Sequence, residues 1–143
     1  MYTDQMYTDQ LSVFLGNHPG RLLHVCRLLG ENGVNIRAAN IAESKDFGVL
    51  RLIVDKRDEA LKVLQAASVS AECTKVVTVE VPDAPGGLAH VLEVLEKAGL
   101  NIEYMYGFSR RHAESAIMVF RFEDPDKASQ TIAAAGLKIV TGK

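Results

Sequence analysis

A chain of 143 residues with 48% apolar side chains is long enough for one ordinary domain or two very small ones. Its formal net charge of −2, with both signs interspersed and no basic stripe, argues against nucleic acid as a partner, and no apolar run approaches the roughly 18 residues of a membrane helix. The opening residues lack the basic-then-apolar pattern of a signal peptide, and the two distant cysteines, Cys26 and Cys73, suit thiols in a reducing cytoplasm better than a disulfide or a metal site.

The chain starts with the pentapeptide MYTDQ written twice. Residues 1–9 are therefore set apart as a segment expected to be disordered or artefactual, with no part in the fold. Leu11, Val13 and Leu15 then alternate with Ser12 and Phe14, which predicts a strand with one face in a core. Pro19-Gly20 breaks it. Proline fits the first turn of a helix, and Asn17 is placed to cap the exposed amides. Leu22, Val25, Cys26 and Leu29 share one helical face, and Gly33 ends that helix near Asn32. Strands follow near Val34–Ala42 and Phe47–Val54, with a turn at Ser44 and Asp46 between them. A second helix starts near Asp58 with the stripe Leu61, Leu64, Ala67, and a last strand spans Val69–Thr74.

The whole order then repeats. At an offset of 66 residues, Asn17-His18-Pro19-Gly20-Arg21-Leu22 falls on Asp83-Ala84-Pro85-Gly86-Gly87-Leu88, and Gly33-Val34-Asn35-Ile36 falls on Gly99-Leu100-Asn101-Ile102. His24 falls on His90. Beyond the second strand the offset becomes 68: Gly48, Leu50, Leu52 and Val54 match Ala116, Met118, Phe120 and Phe122. The second copy therefore carries two extra residues, best placed in a hairpin turn near Arg110–Glu114. Its strands are expected at Val77–Val81, Leu100–Phe108, Ser115–Phe122 and Leu137–Thr141. Its second helix carries the stripe Ala128, Ile132, Ala135.

Each copy thus reads βαββαβ. The fold class is α+β: two ferredoxin-like modules, residues 10–74 and 75–143, each an antiparallel sheet with both helices on one face, set side by side as an eight-stranded sheet. The other sheet face would show Val49, Arg51, Ile53 and Ile117, Val119, Arg121, apolar enough to want another module or a second chain over it.

The segments LSVFLGNHPGRLLHVCRLLGENGVNI and VVTVEVPDAPGGLAHVLEVLEKAGLNI resemble the start of an ACT domain, through the shared pattern strand, Asn/Asp-x-Pro-Gly-x-Leu, helix, Gly-x-Asn-Ile. The resemblance covers nearly all of residues 10–140. The first copy is also similar to the regulatory subunit of acetolactate synthase. IAESKDFGVLRLIV and GLNIEYMYGF look like small stand-alone tandem ACT proteins of bacteria. The resemblance implies a free amino acid as ligand, held where one module meets another by the loop after the first strand. Carried over, the ligand-binding residues are Asn17, His18, Pro19, Gly20, Arg21, Leu22, Asn35 and Ile36, with Asp83, Ala84, Pro85, Gly86, Gly87, Leu88, Asn101 and Ile102. The loops agree physically: unpaired amides at a helix start attract a carboxylate, and an Asp83 or Asn17 oxygen can accept from an ammonium group. Asp83 with Gly86-Gly87 makes the second loop the better candidate, since Asn17 is not the commoner acid and His18 and Arg21 are bulky for a tight loop.

Ser44, Asp46 and Phe47 are weaker candidates, as a hairpin turn that can border a neighbouring site. Tyr104 and Tyr106 share a face and should follow Ile102 into the core unless a bulge intervenes. Each candidate also has a structural reading: the Pro-Gly loops as plain turns, Gly33-x-Asn35 and Gly99-x-Asn101 as helix stops, His24 and His90 as residues beside the apolar stripe. No nucleophile–base pair, metal cluster or paired carboxylates recur at useful spacing, so no enzyme activity and no cofactor are expected. The functional expectation is a cytoplasmic, non-catalytic amino-acid sensor, paired as a homodimer. The alternative is a subunit that docks on a biosynthetic enzyme, such as an acetolactate-synthase-like one, and binds no ligand itself.

Overall fold

The structure is a computed structural model, and it describes residues 7–16, 19–43, 47–109 and 114–140. The chain divides into two compact units, Asp9–Thr74 and Lys75 onward, the latter also taking in Thr8.

In the first unit, β1 (Thr8–Gly16), α1 (Arg21–Glu31), β2 (Ile36–Glu43), β3 (Phe47–Val54) and α2 (Arg57–Ala66) follow the expected order. The hydrogen-bonded strand order is β2-β3-β1-β4, where β4 is Ala71–Pro82. Strands β1 and β3 pair antiparallel from Leu11↔Leu52 to Gly16↔Phe47. This register puts Leu11, Val13, Leu15, Leu50 and Leu52 on one face, where Val25 and Leu29 of α1 and Ala60 and Leu64 of α2 complete a core with 7% exposure at most. Apolar period 2 in the strands meets apolar period 3.6 in the helices, and both stripes leave water together.

The second unit repeats the plan with α3 (Gly87–Lys97), β5 (Ile102–Ser109), β6 (Ser115–Phe122) and α4 (Pro125–Ala134), in the strand order β4-β6-β5. Its core gathers Val77, Val79 and Val81, Val91 and Leu95, Phe120 and Phe122, and Ala128 and Ile132. The phenylalanine rings stack with centroids 5.7 Å apart.

Among the described residues six strands are found where eight were expected. The anticipated strands Val69–Thr74 and Val77–Val81 are one continuous element, β4, because Thr74-Lys75-Val76 holds no glycine or proline to turn the chain. The anticipated last strand, Leu137–Thr141, is reduced to a single antiparallel bridge, Val79↔Ile139, flanked by Glu80 N–H to Lys138 O at 2.9 Å and Val140 N–H to Thr78 O at 2.8 Å. At the front of the chain, the second MYTDQ copy supplies Thr8, Asp9 and Gln10 to β1. Thr8 and Gln10 are buried, and Asp9 pairs with Arg57 at 2.5 Å.

Within the face expected to lie open, Ile53 of the first unit is 6% exposed, and Ile117 and Val119 of the second are 4% and 0% exposed. Buried hydroxyls accompany them. Ser12 bonds Thr74 at 3.0 Å and accepts from Gln10 at 3.2 Å, and Thr8 bonds Thr78 at 3.2 Å.

Candidate functional site

The two Pro-Gly loops are built alike. Pro19 and Pro85 do not open their helices. Each precedes a glycine that is itself the N-cap, Gly20 at φ 91° and Gly86 at φ 84°. Neither helix has a side-chain hydrogen bond at its cap, so Asp83 is not the capping residue expected, while Asn17 lies outside the described residues. The reason is positional: with the left-handed Gly86 at the cap, Asp83 sits three residues ahead of it. The first helical bonds are His24 N–H to Gly20 O and His90 N–H to Gly86 O, both 3.0 Å. Ahead of them, the helix-start amides point outward with the positive end of the helix dipole behind them. A Cβ built on Gly20 or Gly86 meets nothing within 4 Å, so the space in front of both caps is open.

The next position separates the copies. Gly87 is buried, donates to Ala84 O at 3.0 Å, and has no room for a side chain: an added Cβ would lie 2.1 Å from Pro82 O. The first copy has Arg21 here, with its Nε buried and without a hydrogen-bond partner among the described residues. Leu88 packs on the second core, while its counterpart Leu22 is 43% exposed. Asp83, Ala84, Pro85 and Gly86 are all exposed, and Asp83 N–H is tied to Glu114 O at 3.0 Å. The second loop therefore carries an exposed carboxylate three residues ahead of the Gly86 cap, on a backbone held by the bonds to Glu114 and Ala84. Asn17 and His18, and likewise Ser44 and Asp46, lie outside the described residues; Phe47 is described by its backbone, opposite Gly16.

The Gly-x-Asn-Ile segments lie elsewhere. Gly87 and Lys97 bound α3, roughly 15 Å of helix at 1.5 Å per residue, and Asn101 follows its far end. A free amino acid cannot touch both the loop and Asn101 within one unit. Asn35 has a structural bond pair, its N–H donating to Asp55 Oδ1 at 2.9 Å and its O accepting from Asp55 N–H at 3.1 Å. Ile36 and Ile102 pack against their cores. Asn101 and Ile102 line a cleft of about 700 Å³ with Ala89, Leu92, Glu93 and Glu96.

Tyr104 and Tyr106 are not on the core side. A bulge between Ile102 and Tyr104 shifts the register, so Tyr104 sits opposite Arg121 and Tyr106 opposite Val119, on the face away from the helices. The first copy has the same bulge between Ile36 and Ala38. Arg121 meets Glu103 at 3.4 Å and donates to Lys75 O at 2.9 Å.

A second cleft, about 490 Å³, borders the end of β4 and was not foreseen. It is lined by Glu80, Pro82, His90, Glu114, Ser115 and Lys138 among others. Its signal was the two-residue insertion, which ends at Glu114. His24 and His90 are exposed, and among the described residues no group of three or more His, Cys, Asp or Glu is placed to hold a metal. Burial pushes the thiols of Cys26 and Cys73 up, with Arg57 opposing the shift at Cys73, so neither is poised as a thiolate at neutral pH. No described helix is long and apolar enough to cross a membrane.

Residues 6–143 match the profile of a family described as an ACT domain pair. Protein BT0572 from Bacteroides thetaiotaomicron is 38% identical, with a TM-score of 0.89 over 94% of this chain and 92% of that one. The regulatory subunit of aspartate kinase from Thermus thermophilus, in its ligand-free form, shares the fold at 21% identity and a TM-score of 0.61, over 92% of this chain and 94% of that one. The corresponding subunit from Thermus flavus does so at 18% and 0.59, over 93% and 94%. No curated protein matches the chain.

Proposed function

The chain belongs to the ACT domain pair family, and from that premise we propose that it is a non-catalytic regulatory protein of amino-acid metabolism that binds a free amino acid. The observation that carries this is the second loop: exposed Asp83 beside the uncapped amides of α3, with open space in front of Gly86. The ligand carboxylate sits on the helix-start amides, and its ammonium group on Asp83. The far position of Asn101 supports a pocket completed by a neighbouring module, with the ligand at a junction of modules in paired chains. The first loop, with Arg21 in place of Gly87, is the weaker site. Regulation passes to a metabolic enzyme in the cytoplasm; the aspartate kinase regulatory subunits share the fold.

A screen of the twenty amino acids for a shift in melting temperature tests the reading. At about 100 times its dissociation constant, a ligand adds about 2.7 kcal/mol of stability. Asp83→Ala keeps the backbone bond to Glu114 and should weaken the responding ligand by about ten-fold or more, the loss of one charge-assisted hydrogen bond. No response to any of the twenty rejects amino-acid sensing in favour of a subunit that docks without a ligand.

A further inference from the structure

The cleft of about 490 Å³ beside the second Pro-Gly loop is lined by residues of the second unit alone, and the two copies can be compared there residue by residue. Glu80 N–H donates to Lys138 O at 2.9 Å, and Phe14 N–H donates to Ser70 O at 2.9 Å. Just before these acceptors the chain turns in the same way, through Gly136 at φ 84° and Ser68 at φ 60°. Leu137 N–H then bonds Ile132 O at 3.2 Å, as Val69 N–H bonds Leu64 O at 2.9 Å. Phe14 and Ser70 therefore occupy in the first unit the backbone places of Glu80 and Lys138 in the second. The chemistry is not shared. The first unit puts an aromatic ring, 38% exposed, and a serine where the second puts an acid and a base. The second unit also brings His90, Ser115 and Glu114, which ends its insertion, to the cleft, with Val91 and Leu137 as apolar lining.

The cleft adjoins the candidate loop. Pro82, on its wall, directly precedes Asp83, and Glu114 O accepts from Asp83 N–H at 3.0 Å. His90 lies one turn into α3, its N–H on the O of the Gly86 cap at 3.0 Å. The charges do not cancel. Glu80 and Lys138 are neighbours across the strand contact, where opposite charges offset one another. Glu114 is exposed, and among the described residues no ion pair holds it. We propose that this cleft receives the side chain of the amino acid held at the second loop, and that it selects a basic one, with the side-chain cation on Glu114. The inference rests on the amino-acid reading above and names the ligand class. The ligand's aliphatic stem lies against Val91 and Leu137, as the stems of long cationic side chains cover apolar surface elsewhere. Neutral His90 offers a further acceptor beside Glu114. The first unit, with Phe14 and Ser70 at the matching places, makes no such selection.

Calorimetric titration of the full chain tests it, first with all twenty amino acids and then with ornithine and norleucine, which keeps most of the lysine stem and lacks its charge. At least one basic amino acid should bind about ten-fold or more tightly than norleucine, as expected for a close charge pair. Glu114→Gln keeps the carbonyl that holds Asp83, and should weaken the basic ligand by about ten-fold or more while leaving neutral ones unchanged. Lys138→Ala removes the cation that offsets Glu80 and should tighten the basic ligand several-fold, a gain that loss of a merely structural residue does not give. Circular dichroism should show both variants folded. A tightest ligand that is neutral or acidic, a basic ligand bound equally by the native chain and Glu114→Gln, or no gain in Lys138→Ala overturns the pocket and leaves amino-acid sensing standing. No binding by any of the twenty overturns the sensing reading and this inference with it.

Discussion

Gly86 and Gly87 are neighbours in sequence, yet they are glycine for different reasons. Gly86 needs its left-handed φ of 84° but has open space around it, so Gly86→Ala should cost only the αL penalty of about 1–2 kcal/mol. Gly87 has no room, and the contact is backbone: an added Cβ would lie 2.1 Å from Pro82 O. Gly87→Ala must push the start of α3 off the end of β4. We expect it to destabilise by about 1–3 kcal/mol, as overpacking does, and to reshape the loop, measured by denaturant unfolding and by loss of amino-acid response. Equal, small effects at both positions would contradict this account of the loop. The Pro-Gly signature was legible in the sequence as a break and a helix start. The identity of the cap was not, because Asn17 and Asp83 are good capping residues by type, and only the backbone shows a glycine taking that position.

Elements were legible where period and punctuation agreed. The two copies of strand, helix and hairpin could be read from alternation, helical stripes and glycine stops. The bulges were not. A single extra residue at Arg37 and at Glu103 flips the alternation after it, so Tyr104 and Tyr106 moved from the core side, where simple period-2 counting put them, to the opposite face. Strand β4 was misjudged for the opposite reason. A module boundary was expected to interrupt it, yet no turn-forming residue lies between Thr74 and Val77, and the strand runs on. The helix starts carry a testable contrast. Asp124 caps α4, accepting from Lys127 N–H at 3.1 Å, whereas Lys56 heads α2 without a side-chain cap. Asp124→Ala should therefore lower stability by about 1 kcal/mol in thermal unfolding, and Lys56→Ala should leave it nearly unchanged.

At the scale of the whole molecule, duplication supplies two of everything while the residues make the copies unequal. The first loop carries Arg21 where the second has Gly87; α1 exposes Leu23 and Arg27 where α3 exposes Ala89 and Glu93. Such divergence suits a pair of modules in which the two loops play unequal parts. The resemblance of the two Pro-Gly and Gly-x-Asn-Ile segments to ACT domains gave the family-level reading, but it did not show that the Pro-Gly loop and the Gly-x-Asn-Ile segment stand at opposite ends of a helix. That separation is why the proposed ligand site at the loop needs the rest of its pocket from elsewhere.

The most direct test of the central claim is to titrate each of the twenty amino acids into isotope-labelled chain and follow the backbone amides. We predict that at least one amino acid moves the amides of Gly86, Gly87, Leu88 and Ala89, at the start of α3, more than those at its other end. Titrations that leave these four amides in place would contradict it.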